Sequence, residues 1–283
     1  MPAVFVLIWS TGFIVARFGM PYSPPMKFLA WRYALSVLCF GAWIVLARVK
    51  LPRDRVQIGH LAVIGILMHA GYLGGVWAAV KAGMGAGLAA LLVGLQPVLT
   101  AIWISSRGGA VTPRQWLGLA LGLAGLVLVV WQKLGLGEVT AFNFSLAAGA
   151  LVAITSGTLY QKRYLAPCDV RAASLVQLLA AFAVTLPLAL LEAEPMRLTG
   201  QLAGAMAWSV LALTLGASSL LYLLIQRGAA TSVTALMYLV PPSTATMAWL
   251  LFGEPLTPLI LGGMALTAVG VSVVVRAART EGT

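Results

Sequence analysis

Few residues of this chain could do chemistry, and the two most conspicuous, Arg32 and His69, each sit inside a long apolar run. A cationic side chain surrounded by hydrocarbon is costly unless paired, so such residues usually serve a function. Arg32 stands roughly one and a half turns into its run. From there its guanidinium could grip a carboxylate through two parallel hydrogen bonds. It could equally snorkel outward, or tie helix ends together through backbone carbonyls. His69, at the middle of its run, is the one mid-run group that titrates near neutrality. It shares a helical face with Tyr72, three residues on. It could carry a proton, bond a ligand or bond a neighbouring helix. Trp9, Gln96 and Tyr238 at mid-run positions, and Tyr222 nearer the end of its run, add aromatic and amide groups that suit either a pocket for a small amphipathic ligand or ordinary packing. Pro97, beside Gln96, and the pair Pro241-Pro242 also fall near the middle of their runs. Each proline removes a backbone donor and frees a carbonyl. In an apolar phase that is tolerated where a neighbouring helix or a cavity satisfies the carbonyl. These prolines read as hinges or as static bends.

What is missing narrows the chemistry further. The seven acidic residues all map to loops or helix ends, so no carboxylate lies at mid-run. An enzyme site needs a nucleophile–base pair or clustered metal ligands. One mid-run histidine, with His60 near a helix end, provides neither, so no catalytic residue, metal site or cofactor is expected. The run Gly83-Met84-Gly85-Ala86-Gly87 is not a phosphate loop, because no strand precedes it and no Lys-Ser or Lys-Thr follows. A channel would show a continuous polar stripe or charged rings, and none is evident. If a proton is coupled to anything, His69 is nearly the only candidate carrier.

The elements that must position these groups follow from composition. Of 283 residues, 61% are hydrophobic and 9% charged, and mean hydropathy is +0.98. So few charges cannot wet a soluble surface, which excludes a soluble enzyme and a disordered tail. Ten apolar runs can be cut at loops holding charge, proline and glycine: 2–20, 26–47, 57–80, 85–105, 114–132, 144–162, 170–191, 202–226, 231–252 and 258–276. They are too long for barrel strands and lack a barrel's alternation, so they read as transmembrane helices. The first is read as a span and not as a cleavable signal. With the N-terminus in the cytoplasm, 12 of the 18 lysines and arginines fall in cytoplasmic segments, five in outer loops, and Arg32 within a span. Both termini are therefore expected in the cytoplasm. The same rule accounts for the net charge of +11 without a nucleic-acid partner. Short loops favour a bacterial inner membrane. Cys39 and Cys168 lie in different settings and are not expected to pair.

A repeat organises the runs. At a constant offset of 145 residues, Gly12 meets Gly157, Gly71 meets Gly216, Pro97 meets Pro242, Thr112-Pro113 meets Thr257-Pro258, and Arg32 meets Gln177. The halves, 1–133 and 144–276, hold five runs each. An odd number makes the second copy enter the membrane from the opposite side. An inverted repeat places a small-molecule site near the midplane between the halves and supplies two related conformations, one open to each side. The expected fold is thus an all-α membrane protein with ten transmembrane helices in two inverted five-helix repeats. Gly118 and Gly122 form a GxxxG pair that fits packing within one bundle or a homodimer, leaving monomer and homodimer open.

The residues also resemble a known family. Ile8-Trp9-Ser10-Thr11-Gly12-Phe13 and Phe28-Leu29-Ala30-Trp31-Arg32-Tyr33 are similar to the openings of the first two helices in EamA-type members of the drug/metabolite transporter superfamily. The stretch Leu251–Val271, with Gly253-Glu254-Pro255-Leu256-Thr257, then Gly262-Gly263 and Gly270, resembles the most recognisable family signature. The first half departs from it, with Gly109 at the position matching Glu254. The resemblance covers essentially the whole chain. It implies ten helices in two repeats and, commonly, export of amino acids or related metabolites. A passive facilitator, or an exporter of another metabolite class, is the alternative.

Overall fold

A computed structural model describes residues 2–108, 112–135, 137–217, 220 and 239–280, and every regular element among them is helical. In chain order these are α1 (Pro2–Gly19), α2 (Pro25–Leu46), α3 (Arg55–Lys81), α4 (Ala86–Ser106), α5 (Pro113–Gly135), α6 (Ala141–Tyr164), α7 (Val170–Leu191), α8 (Gly200–Gly216), α9 (Val240–Phe252) and α10 (Pro258–Thr280). Six of them, α2 to α7, are long and apolar enough to cross a membrane, and shorter apolar stretches run over Val4–Gly19, Gly200–Gly216 and Pro258–Val273. Described boundaries lie within a few residues of the apolar runs. The run 202–226 and the start of 231–252 extend beyond the described residues.

The exterior is apolar, as a lipid solvent requires. Trp131 and Leu190 are 75% and 76% exposed, and Val45 and Leu251 also face outward. Inside, small residues let backbones meet. A Cβ on Gly125 would lie 2.3 Å from the Gly263 carbonyl, and one on Gly270 2.4 Å from the Gly122 nitrogen. Helices α5 and α10 therefore touch backbone to backbone, so the GxxxG glycine Gly122 is used inside the bundle. Thr267 adds a hydroxyl bond across this contact to the Gly122 carbonyl at 3.3 Å. Gly75 of α3 does the same against Leu146 and Ala150 of α6, and Gly71 lies against the Ala153 methyl group. Helix α2 packs on α7, the first half of α4 on α9, and α1 on α8 and α9.

Two features depart from plain α-helix. Residues Ile66–Gly71 of α3 and Ser209–Gly216 of α8 are π-helical, a wider winding that occurs mostly as short insertions at functional sites. The last residues of these two segments, Gly71 and Gly216, stand 145 positions apart. Helix α4 is broken at Gly94-Leu95, and Pro97 sits in the first turn after the break. Pro241 and Pro242 sit likewise in the first turn of α9. A first-turn proline forfeits no helical hydrogen bond, and each of these prolines sits at the opening of a described helical segment. The two sites face each other: a Cβ on Gly94 would lie 3.0 Å from Pro241 Cγ.

Candidate functional site

A cavity of about 710 Å³ runs from the interior, at Trp77 and Arg32, to the α6–α7 connection, where Ala166 and Pro167 are exposed. Helix α1 contributes Trp9 and Phe13, α2 contributes Arg32, and α3 contributes His69, Tyr72 and Trp77 around its π-helical segment. Across from them, α6 gives Ile154, Thr158 and Lys162, α7 gives Ser174 and Gln177, and α8 gives Leu213 and Thr214.

Arg32 is 7% exposed, and its position is fixed on one edge only. Its Nε and Nη2 each donate to Thr214 Oγ1 at 3.2 Å, and that hydroxyl donates in turn to the Ser209 carbonyl at 2.8 Å. The last bond spans five residues, the reach that the π-helical segment of α8 brings into register. Among the described residues no carboxylate pairs with Arg32. On α3 the carbonyl of His69 accepts from the Tyr33 hydroxyl at 2.8 Å. Gln177 approaches the His69 ring. The two π-helical segments thus place Thr214 against Arg32 and His69 against Gln177, and these four residues form two pairs at the 145 offset.

Of the residues singled out from sequence, Trp9, Arg32, His69 and Tyr72 are brought together on one cavity. Gln96 does not line it. Its Nε2 donates to Thr158 Oγ1 at 2.8 Å, one hydrogen bond behind the wall. Tyr222 and Tyr238 lie outside the described residues. Reading by residue type passed over Thr214, Thr158 and Lys162, because a hydroxyl in an apolar run looks like a back-bonded helix residue and Lys162 looks like a loop charge. The constant offset carried the missing signal, since it pairs His69 with Thr214 and Phe13 with Thr158.

The two ends of the cavity differ. Below Trp77, which stacks on Phe28 with ring centroids 4.4 Å apart, the far end is stitched shut. Glu192, just past α7, accepts from the first backbone N–H groups of α2, Met26 at 3.0 Å and Lys27 at 2.8 Å. Lys27 Nζ donates to the Glu194 carbonyl at 2.7 Å, and Lys81 pairs with the Glu194 carboxylate at 2.7 Å. Glu254 accepts from the Ala86 N–H at the start of α4, 2.9 Å away, and Tyr22 bonds Gln201. Each contact joins the first half of the chain to the second. At the α6–α7 end the comparable contacts are Gln57 Nε2 to the Ala166 carbonyl at 3.3 Å and His60 Nδ1 to Tyr160 Oη at 2.8 Å. Asp169 there works locally. It caps α7 and binds Arg171, whose hydrogen bonds and charge hold the carboxyl below its ordinary range. Cys168, at the mouth, is held above the usual thiol range by burial first and by the neighbouring Asp169 second. Both cysteines are free.

This arrangement can hold a small solute and expose it to one side, and comparison with known proteins agrees. The description "EamA-like transporter family" matches residues 3–131 and 142–276. The chain belongs to that family. This EamA-family chain is 27% identical over 265 residues to the Uncharacterized inner membrane transporter YedA of Escherichia coli strain K12, a match covering 92% of this chain and 80% of that protein. It is 26% identical over 162 residues to the Probable amino-acid metabolite efflux pump of Salmonella typhimurium strain LT2, covering 56% of this chain and 51% of the pump. A solved crystal structure at 20% identity superposes with a TM-score of 0.70 over 100% of this chain and 98% of the other, so the fold is shared. Membership of a transporter family implies a small-molecule substrate and embedding in a membrane.

Proposed function

We propose that the chain is a secondary carrier that exports a small organic metabolite, an amino acid or related compound, by alternating access. The observation that carries this reading is the cavity that is lined by Arg32 and aromatic side chains, reaches one end of the bundle and is stitched closed at the other. In this reading ten helices form two inverted repeats, 1–133 and 144–276. Support comes from the lining residues: Trp9 and Ile154, Phe13 and Thr158, Arg32 and Gln177, Met68 and Leu213, and His69 and Thr214 all stand 145 positions apart on the same cavity. A site at the junction of inverted repeats is where two alternative openings are available. The basic residues Lys162, Arg163 and Arg171 put the open mouth in the cytoplasm by the positive-inside rule, with both termini on that side of an inner membrane. The cavity then faces a cytoplasmic substrate, as export requires.

Arg32 takes an anionic group of the substrate, while Trp9, His69 and Tyr72 shape the pocket. Gln96 positions Thr158, and Tyr222 and Tyr238 contribute from the segment between α8 and α9. The opposed breaks at Pro97 and Pro241-Pro242 serve as hinges. The relatives' names, which include amino-acid metabolite efflux, fit this substrate class. A passive channel would need a passage through the stitched end.

The test is transport by the purified chain in liposomes, with a panel of labelled amino acids and related acids and with Arg32→Gln alongside. We expect saturable flux that is stimulated by counter-substrate and falls by about 30-fold or more in the variant, as for loss of one partner of a buried charge pair. Equal flux in both proteins would return Arg32 to a purely structural role. Flux without saturation or counter-stimulation would favour a channel.

A further inference from the structure

We infer that the cavity selects organic acids without a free ammonium group, such as N-acylated amino acids or 2-oxo acids, over zwitterionic amino acids. The inference rests on the carrier reading and sharpens its substrate class.

An amino acid brings a carboxylate and an ammonium, and a desolvated site must answer both, because an unpaired buried charge is heavily penalised. The cavity answers the carboxylate. Arg32 and Lys162 both line it, and beyond its two bonds to Thr214 the Arg32 guanidinium makes no further hydrogen bond among the described residues. A forked guanidinium held on one edge presents its remaining N–H groups for a carboxylate. Tyr72, 6% exposed and on the same wall, makes no hydrogen bond through its hydroxyl among the described residues.

Among the described residues the ammonium has no comparable partner, and no aspartate or glutamate of theirs lines the cavity. The six acidic residues described are committed elsewhere: Asp54 caps α3, Glu138 binds Lys133, Asp169 binds Arg171, Glu192 caps α2, Glu194 binds Lys81 and Glu254 caps α4. The seventh, Glu281, is in the C-terminal tail, so the segment 218–238 brings no carboxylate either. Neutral acceptors near Arg32 already have partners. The His69 carbonyl takes the Tyr33 hydroxyl, the Ser209 carbonyl takes the Thr214 hydroxyl, and Thr214 takes Arg32. Thr158 takes Gln96 and gives its own proton to the Ile154 carbonyl. Among the described residues what remains is the amides of Gln161 and Gln177, the Ser174 and Tyr72 hydroxyls and aromatic faces, in a cavity already carrying two cations. Such a site discriminates against a third cation by repulsion as well as by lack of acceptors. Blocking or removing the amine removes that conflict, and the faces of Trp9, Phe13 and Tyr72 remain for a planar apolar body.

Three probes with one ring and one carboxylate isolate the amine: phenylalanine, N-acetylphenylalanine and phenylpyruvate, each labelled, with the full chain in liposomes. The expected result is initial flux of the two amine-blocked or amine-free acids at least about tenfold above that of phenylalanine. Their flux should also respond to a valinomycin–potassium potential, because each carries net charge. Lys162→Gln, at an exposed helix-end position, should narrow the ratio. A role in folding alone would change all three fluxes together. Phenylalanine moving as fast as its N-acetyl derivative, or faster, overturns the inference and leaves the carrier reading standing. No flux of any probe above protein-free vesicles overturns both.

Discussion

Both ends of the bundle use a carboxylate to satisfy the unpaired N–H groups at a helix start, but they take it from different places. At the mouth, α7 is capped by Asp169, the residue immediately before it, and α3 by Asp54 in the same way. At the stitched end, α2 starts with prolines at Pro24 and Pro25 and no capping side chain of its own. Glu192 supplies the carboxylate from beyond α7, and Glu254 does the same for α4 from beyond α9. A local cap stabilises one helix and leaves its neighbours free to move. A cap borrowed from the other half of the chain stabilises the helix only while the halves stay together. The same interaction is thus structural at one end and conformational at the other, and α2 and α7, which start 145 residues apart, show the difference directly.

Removing both borrowed caps should have the largest effect. Charge-assisted bonds of this kind are worth about 1.5–3 kcal/mol each. The double variant Glu192→Ala, Glu254→Ala should therefore shift the balance away from the closed stitched end by roughly 100-fold or more. Cys168 reports the change in a Cys39→Ser background, since it lines the mouth and no third cysteine exists. Its labelling by a maleimide applied on the side of the mouth should slow as the mouth closes more often, while the melting temperature of the bundle falls only modestly. If labelling is unchanged, the borrowed caps are structural like the local ones. The matching local substitution, Asp54→Ala, should cost stability without altering labelling.

The Lys81–Glu194 pair tests how much of the closure comes from exposed charge. The two side chains are 29% and 47% exposed, so the pair is worth about 0.2–1 kcal/mol and is screened by salt. Glu194→Gln should shift Cys168 labelling by less than about fivefold, and the shift should shrink at high ionic strength. A change as large as that of the double-cap variant would place the lock in the ion pair and not in the caps.

Legibility in the sequence divides along the same physical lines. The described helices stand where apolar runs are interrupted by Pro, Gly and charge, because lipid forces backbone pairing within each segment. Trp9, Arg32, His69 and Tyr72 were visible as polar or aromatic groups where such groups are costly, and they share one cavity. The π-helical segments were not visible. Ile66–Gly71 and Ser209–Gly216 have no composition that separates them from α-helix, yet they set which residues face inward. Gln96 shows the consequence of such local geometry. It lies mid-run beside a proline, but the break at Gly94-Leu95 turns it onto Thr158, behind the wall. Glu192 was visible only as a loop charge, since a cap that crosses 166 residues of chain leaves no local pattern.

The smallest expected effect concerns the mouth itself. Cys168 has a raised thiol pKa from burial first and the adjacent Asp169 second, with a bond to Gln57 opposing. The thiolate is the form that reacts with maleimide. A raised pKa means less thiolate at neutral pH, so labelling should be slower than for an ordinary exposed cysteine and should accelerate as pH rises. Asp169→Asn removes the second cause while keeping an oxygen to cap α7, and labelling should speed up by only a few-fold at fixed pH, because burial remains. This also separates the two ends. The Asn substitution neutralises a carboxylate beside the mouth whose own bonds stay within the second half, so the population of open mouth should hold and the whole change should vanish well above the thiol pKa, where every cysteine is already ionised. If the faster labelling persists there, Asp169 restrains the mouth mechanically, and the division between local and borrowed carboxylates would have to be redrawn.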